Sequence, residues 1–589
     1  MKTHPSLRIY QALLFLLACV PCAIPYRYPP NPVFPSELAA YGFCALIIMA
    51  AATLPTNSRR TGPPLASWPW LALAGVLAIQ IVAMPVIYWS ERTIPMSYMI
   101  GAALTVWSLS LARDEHGLEP LAVALAWGLL IGALFNTGLS IPQIIHVQQS
   151  GSGLVFGNIG QKNMYGHYLA WGLAAAAWLG ATRRLQGWAF WVLAIWLALS
   201  MAWCGSRSIF LYAGAWAVFG AALYFTSRGD NRRFAVLLFG SAVLIIAMQF
   251  VAPQINHLFQ SALHAKNEVP TGLDRLDSNG ARRLVEWQKA LIAFRENPIL
   301  GVGWGAYGAQ SVRLQVIPEF AKVVEPVLFT HCHNSLLNLM AETGIVGAFV
   351  VVVPILLAFF GIWRRRHDPV AMFGTALVLV SILHSLVEYP LWYFHFFGPF
   401  ALMLFLMYDG APGRGLSSMQ SRIGGLAAGV ATLGLGIAGL VFYLQIYPII
   451  DSSSKVKENE RRIKILEDMR KNPLLDYFAE YGLSNFVVAN RSDMAWKLGI
   501  VAQLDRLHPY PGQLSDEAIM RALMGDQQMA HQRMREAVYS FPDSLGYYRH
   551  EIERFPNEPA VQALLVDVEA GEKMYGKQPY DPNDDSNDD

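Results

Sequence analysis

Charge is scarce in this chain. Only 15% of its 589 residues are Asp, Glu, Lys or Arg and 54% are hydrophobic, where a soluble protein carries roughly 25% charged residues. The mean hydropathy is +0.33, and the apolar residues gather into long runs, so the composition excludes a soluble globular class and implies a polytopic membrane protein. A formal net charge of +2 makes no case for nucleic acid, and no such partner is expected. Cysteine is sparse too. Cys19, Cys22, Cys44, Cys204 and Cys332 include no Cys-x-x-Cys pair on a polar loop, which argues against a disulfide framework or a zinc site. Clustered carboxylates of the Asp-x-Asp kind are missing, so a metal-independent site without cofactor is expected. No internal repeat is evident and acidic residues are nearly absent from the apolar runs, which argues against a secondary transporter.

What is present is a series of about thirteen apolar segments, at roughly 8–25, 36–53, 69–88, 96–112, 119–137, 166–181, 187–203, 208–226, 234–252, 339–363, 369–387, 392–408 and 424–447. Each approaches the ~20 residues a membrane-spanning helix needs. The first is read as an uncleaved span rather than a signal peptide, since no small-x-small cleavage site stands out. Leu139 to Ile145 is too short to span and is expected to re-enter the membrane or lie flat. Basic residues fall in alternate loops. With a cytoplasmic N-terminus, the inner segments carry Lys2, Arg8, Arg59, Arg60, Arg113, Arg183, Arg184, Arg228, Arg232, Arg233, Arg364, Arg365, Arg366, Arg414 and Arg422. The short outer loops carry only Arg27, Arg92, Lys162 and Arg207.

The expected layout is therefore all-α. Nine spans fill 1–252, an outer loop 253–338, four spans 339–447, and a soluble helical domain 448–589 ends in the acidic run Asp581–Asp589. Within the outer loop, Leu284, Trp287, Leu291 and Phe294 share one face of a helix over Ala281–Glu296, with Arg282, Arg283, Lys289 and Arg295 among them. Two placements fit: along the membrane surface, with membrane lipids as partners, or packed on the bundle. Asn297-Pro298 ends that helix and Gly301-Val302-Gly303-Trp304-Gly305 forms a tight turn. Beyond residue 451, helical patterns cover about 456–471, 475–489, 515–539 and 544–571, and part of this stretch resembles paired helices of a short repeat. Such a domain suits partner docking, and its deletion is expected to abolish transfer to a protein.

Polar residues collect on the outer side: Gln161 and Asn163, Arg207, Arg283, the run Thr330-His331-Cys332-His333-Asn334, and Glu388-Tyr389-Pro390. Each alone has a plain reading. Gln161, Asn163 and Asn334 suit helix caps, Arg207 suits snorkelling to headgroups, and Tyr389 suits an interfacial turn. Together on one face they read as a site, because polar groups at membrane depth are costly and tend to be functional. Guanidinium groups suit a phosphate-rich ligand. A histidine can take a proton from an attacking hydroxyl or steady a leaving group. His331-Cys332-His333 could also ligate a soft metal, but no outer partner residues accompany it.

Several motifs resemble the O-antigen ligase/polymerase superfamily of bacterial inner-membrane glycosyltransferases. They are Gly157–Asn163, Ser206-Arg207, Arg283-Leu284-x-x-Trp287, Asn297–Gly303, and His331-x-His333-Asn334 followed by Ala341-Glu342-Thr343-Gly344. Gly-Asn-Ile-Gly-Gln-x-Asn at 157–163, the His-x-His-Asn form and Glu388–Tyr393 look most like the protein O-oligosaccharyltransferases that glycosylate pilins and other periplasmic proteins. The resemblance covers about residues 150–410. It implies a GT-C-like membrane fold and transfer of a glycan from undecaprenyl pyrophosphate to a hydroxyl of a pilin-like or periplasmic protein. On it, Arg207 and Arg283 bind the diphosphate and His333 is the essential histidine. Gln161 and Tyr389 match the other required polar residues, and His331, Asn334 and Asn163 support them. Transfer to lipid A core or to a growing glycan is the alternative within the same chemistry.

Overall fold

The computed structural model describes residues 4–55, 62–263, 267–275, 280–324, 326–408 and 418–580. Lys2, Arg59, Arg60, Arg414 and the acidic run Asp581–Asp589 lie outside the described residues. The helices are α1 Pro5–Cys19, α2 Phe34–Ala50, α3 Trp68–Ala83, α4 Ser90–His116, α5 Glu119–Ser150, α6 Lys162–Ala181, α7 Gly187–Trp203, α8 Ser208–Thr226, α9 Gly229–Leu263, α10 Ala281–Glu296, α11 Tyr307–Gln315 and α12 Pro318–Ala321. They continue with α13 Ser335–Ile362, α14 Pro369–Ser385, α15 Phe394–Met407, α16 Ser418–Ile446, α17 Val456–Met469, α18 Asp476–Ser484, α19 Met494–Leu504, α20 Pro511–Leu523, α21 Gln527–Ser540, α22 Leu545–Glu553, α23 Pro559–Gln562 and α24 Leu565–Tyr575.

The fold is all-helical and that of a multi-pass membrane protein. Every expected apolar segment overlaps one of α1–α9 or α13–α16. Among the described residues, nine helices are long and apolar enough to cross a membrane, and Gly187–Trp203, Pro369–Ser385 and Phe394–Met407 are shorter apolar helices. The expected short segment at 139–145 is not separate. It is the C-terminal part of α5, which runs through Pro142 and stops only at Gly151 in the left-handed region, φ 76°. Neighbouring turns can re-satisfy the backbone bond that a helical proline forfeits. Likewise α9 continues through Pro253, so the expected outer loop begins later than residue 253.

By compactness the chain divides into two units. One comprises Met1–Gly75, Pro95–Ser278 and Phe349–Leu440, and the other Val76–Ile94, Asn279–Ala348 and Val441–Asp589. At the centre of the first lie α6 and α15; every residue of α15 is buried. That position explains the composition of α6, whose small and polar residues face other helices. Gly172 lies against Ala133, and Trp171 Nε1 donates to Ser381 Oγ at 3.2 Å. Small residues permit close helix approach in a membrane and polar side chains bond across it.

In the second unit the C-terminal helices share one apolar core with Tyr88, Ala306 and Val312. Ala309 N donates to Leu507 O at 3.1 Å and Tyr575 Oη donates to Ala321 O at 2.6 Å. The stretch after residue 451 is therefore built into the same unit as residues 279–348 and is not a free-standing module. The expected helix at 515–539 is two, α20 and α21, separated at Gly525 with φ 86°. The helix α19 has no counterpart among the expected patterns.

Candidate functional site

In the first unit three loops meet at Asn163. Its Nδ2 donates to Glu388 Oε1 at 2.7 Å, and its Oδ1 accepts from Ser206 Oγ at 2.8 Å. One buried amide thus ties the start of α6, the turn carrying Arg207 and the turn carrying Tyr389. Gln161 is the N-cap of α6, its Oε1 accepting from Met164 N at 2.6 Å. That satisfies one of the four orphan donors at the helix start, and leaves the amide nitrogen for other use. Arg207 is half-buried at the N-terminus of α8. The phenol of Tyr389 is held above its ordinary value, by burial first and then by the Glu388 charge, while a bond with Tyr393 opposes the shift.

The loop before α6 is shaped by α5. Gln143 Oε1 accepts from Phe156 N and Gly157 N, both at 2.9 Å, and its Nε2 returns to Gly157 O at 2.8 Å. Asn136 Oδ1 accepts from Asn158 N at 3.0 Å while its Nδ2 donates to Cys22 O at 3.0 Å. Gly157 has φ 57°, and a Cβ there would stand 2.7 Å from Asn136 Oδ1. Sequence reasoning missed Asn136, Gln143 and the Asn163–Glu388 pair. The available signal was polar residues inside an otherwise apolar helix.

The second unit holds the histidine run. Asn334 caps α13, its Oδ1 accepting from Leu336 N and Leu337 N, both at 3.1 Å. Cys332 is fully buried with Ala290, Ala293, Tyr307 and Ala341, and its N–H donates to Asn338 Oδ1 at 3.1 Å. Burial pushes the thiol up, and Cys332 packs as an apolar anchor. His333 sits at φ 54°, a conformation costing a non-glycine residue about 1–3 kcal/mol and found disproportionately at functional sites. Its ring meets Phe329 edge-on, centroids 5.4 Å apart. His331 Nδ1 is 3.0 Å from Thr330 Oγ1. Burial, with His333 and His508 nearby, lowers its pKa to about 3, so His331 is a neutral imidazole.

The expected helix over 281–296 is present as α10, but its buried face carries an ion cluster beside Val285, Ala290 and Ala293. Glu286 Oε1 pairs with Arg282 at 2.8 Å and Lys289 at 2.9 Å. Its Oε2 accepts from Tyr307 Oη and Ser311 Oγ, each at 2.7 Å. Of the four apolar residues, Leu284 is exposed and Trp287, Leu291 and Phe294 are half-buried. Within its unit α10 therefore turns its ion cluster inward and its apolar stripe outward. Arg282 is committed to the interior while the adjacent Arg283 is half-buried on a different side.

The glycine turn after α10 is clamped to a break in α13 at Gly344, φ 64°. Val302 N donates to Ala341 O at 2.9 Å, Gly303 N to Glu342 O at 3.1 Å, and Ile345 N to Pro298 O at 2.8 Å. A Cβ on Gly301 would lie 2.5 Å from Thr343 N, so this approach requires glycine. The two sequence motifs 297–303 and 341–344 are thus halves of one backbone clasp, which fixes the start of α13 below His333.

Three family profiles match the chain. The one described as O-Antigen ligase covers residues 192–352, Virulence factor membrane-bound polymerase, C-terminal, covers 372–550, and Protein glycosylation ligase covers 155–179. Among similar proteins, a general O-oligosaccharyltransferase of Acinetobacter baylyi is 22% identical over 440 residues, which is 71% of this chain and 74% of that protein. A ComP-specific O-oligosaccharyltransferase of the same organism is 23% identical over 334 residues, 55% of this chain and 58% of that protein. The exopolysaccharide production protein ExoQ of Rhizobium meliloti is 31% identical over 111 residues, 18% of this chain and 25% of that protein. The matched segments carry Gln161, Arg207, Arg283, His333 and Tyr389, and these likenesses together support an oligosaccharyltransferase of the O-antigen ligase superfamily.

Proposed function

We propose that this enzyme moves an oligosaccharide from undecaprenyl pyrophosphate to a serine or threonine hydroxyl of a periplasmic or pilin-like protein. It would do so at the outer face of a bacterial inner membrane, with its N-terminus in the cytoplasm and residues 448–589 in the periplasm. The observation carrying the reading is Asn163. It lies in the segment that matches protein glycosylation ligases, and it ties that segment to the turns bearing Arg207 and Tyr389. Two relatives named as O-oligosaccharyltransferases support a protein acceptor.

In this reading the acceptor oxygen attacks the anomeric carbon. The bond from that carbon to the diphosphate oxygen breaks, and its electron pair leaves with the diphosphate. Arg207 and Arg283 meet the charge that develops there, as fixed cations aimed at a leaving group do. The hydroxyl proton passes to His333, or to the departing diphosphate with His333 orienting the pair. Gln161 and Tyr389 orient the reactants without adding charge. His331, Asn334 and Asn163 hold these groups in place. A single displacement inverts the anomeric configuration.

Transfer to lipid A core or to a growing glycan is the second reading, favoured by the O-Antigen ligase and polymerase profiles. Co-expression with a lipid-linked glycan pathway and a candidate pilin decides between them. Intact-protein mass spectrometry should find the pilin heavier by one glycan with the parent enzyme and unmodified with His333→Ala. Unmodified pilin together with glycan on lipid A core would replace the first reading by the second. Deletion of 451–589 is a poor test of docking, because those helices share the core of their unit; surface substitutions on exposed C-terminal residues are the cleaner probe.

A further inference from the structure

The segment between α1 and α2 carries one charged residue, Arg27. Its guanidinium donates to the carbonyl of Asn158 and lies against Gly160, which has φ 82° and where a Cβ would stand 2.5 Å from Cζ. The second glycine of Gly-Asn-Ile-Gly-Gln is therefore the place where this loop admits an arginine. The Arg27 charge reaches Tyr393 and His395, beyond the Tyr389 turn. Burial holds its pKa below the ordinary guanidinium value, opposed only by the Cys22 thiol and the Tyr393 phenol. Among the described residues no carboxylate pairs with it, whereas Arg282, Arg365 and Arg549 each have one. A partly desolvated cation without a counter-charge is costly, and a guanidinium has five donors, of which Asn158 takes one.

We propose that Arg27 is a phosphoryl-binding residue: the diphosphate of the lipid-linked donor supplies its missing counter-charge, one residue from Gln161. This rests on the donor assignment above. The bland role, a staple holding the 157–161 loop, needs a hydrogen-bond donor but no charge. Arg27→Gln keeps an amide donor and removes the charge, while Arg27→Lys keeps the charge and loses the planar fork.

Undecaprenyl diphosphate binding is measured on the purified full chain in detergent, with phosphatidylglycerol as a second probe and the thermal midpoint as a check on folding. The expected result is at least about tenfold weaker diphosphate binding for Arg27→Gln, the scale of one charge-assisted contact, and a smaller loss for Arg27→Lys. Phosphatidylglycerol binding and the midpoint should not change. Undecaprenyl diphosphate binding within twofold of the parent in Arg27→Gln overturns the proposal, as does equal loss of phosphatidylglycerol, which would make Arg27 a headgroup contact. If Arg27→Gln fails to fold, Arg27→Lys decides: binding within about threefold supports the proposal, and a stable protein with no binding overturns it. Arg207→Gln is run beside them. Weak binding there with normal binding in Arg27→Gln sinks this inference alone, whereas a parent that does not bind undecaprenyl diphosphate sinks the donor assignment itself.

Discussion

Each unit of the chain buries a glutamate, and the two are satisfied in opposite ways. Glu388 takes an amide, Asn163, which also accepts from Ser206. Glu286 takes two cations and two hydroxyls, all from α10 and α11. An amide partner cross-links three loops without adding charge between them. An ion cluster with more cations than carboxylates holds its own helices together, and its members lean on one another because an unpaired buried charge is expensive. Polar residues of α10 thus divide by direction: Arg282 and Lys289 are buried in the ion cluster, and Arg283 is half-buried on a different side. The loops around Asn163 carry Gln161, Arg207 and Tyr389, three of the groups proposed to meet the reactants.

The largest effect expected on transfer separates His333 from both glutamates. His333→Ala should lower transfer by about 10²–10⁴-fold, the usual range for a positioned acid–base group, while the enzyme still binds undecaprenyl diphosphate and unfolds near the parent temperature. Loss of donor binding and of stability together would make His333 a structural residue like Glu286. The largest effect on stability should come from Glu286→Ala, which strands Arg282 and Lys289. Removing one member of a buried ion pair costs about 3–5 kcal/mol, read as a lower thermal midpoint and earlier proteolysis within residues 279–348. Glu388→Gln keeps an acceptor for Asn163 and should cost no more than about 1 kcal/mol. Equal destabilisation by the two changes would erase the contrast.

A smaller effect tests the amide itself. Asn163→Ala removes both bridges and leaves Glu388 and Ser206 without that partner, a loss of about 1–3 kcal/mol. Transfer should fall further than stability, since Gln161, Arg207 and Tyr389 all stand on the loops it joins. Asn163→Asp should do worse than alanine above the carboxylate range, because it sets two acids side by side. Activity of Asn163→Asp at the parent level would show that the bridge does not position the site.

How much of this was legible in the sequence follows from the reach of each interaction. The helix over 281–296, the glycine turn, the cap at Asn334 and the apolar segments are local patterns, and all are present. Which face of α10 points inward was not legible. Periodicity puts Leu284, Trp287, Leu291 and Phe294 together, but only Tyr307, Ser311 and Gln315, some twenty residues on, make the opposite face the buried one. Asn163 and Glu388 are 225 residues apart, so each looked like an ordinary cap or turn residue. Similarly α5 reads as ended at its polar residues, although Asn136 and Gln143 are the ones that bind the loop before α6. Residues 451–580 read as a separable module because their helices are polar outside, and the apolar contacts with Tyr88 and Ala306 that join them to the rest are non-local.

A further prediction is a dependence on pH that arises in the ion-cluster unit. His331 and His508 have pKa values lowered to about 3 and about 4 from 6.5, both by burial first. Their unfolded forms therefore bind more protons than the folded ones between pH 6.5 and about 4. The contribution of each imidazole to stability must rise with pH across that window and fall on acidification, by up to about 1.4 kcal/mol per pH unit. Glu286 adds to the same trend lower down: burial alone would raise its pKa, but Lys289 and Arg282 hold it below 4.5, so its contribution is lost as pH falls under that value. Thermal unfolding of the full chain from pH 7 to 4 sums these contributions with the opposite ones of Glu480 and Asp516, whose carboxyls burial pushes up to about 7, so the test is the difference between parent and variant. In His508→Gln, where an amide oxygen can still accept from Tyr477 Oη as the ring does at 2.7 Å, the midpoint should fall less steeply between pH 6.5 and 4. A His508→Gln profile parallel to the parent would mean that this imidazole is not held neutral in the fold.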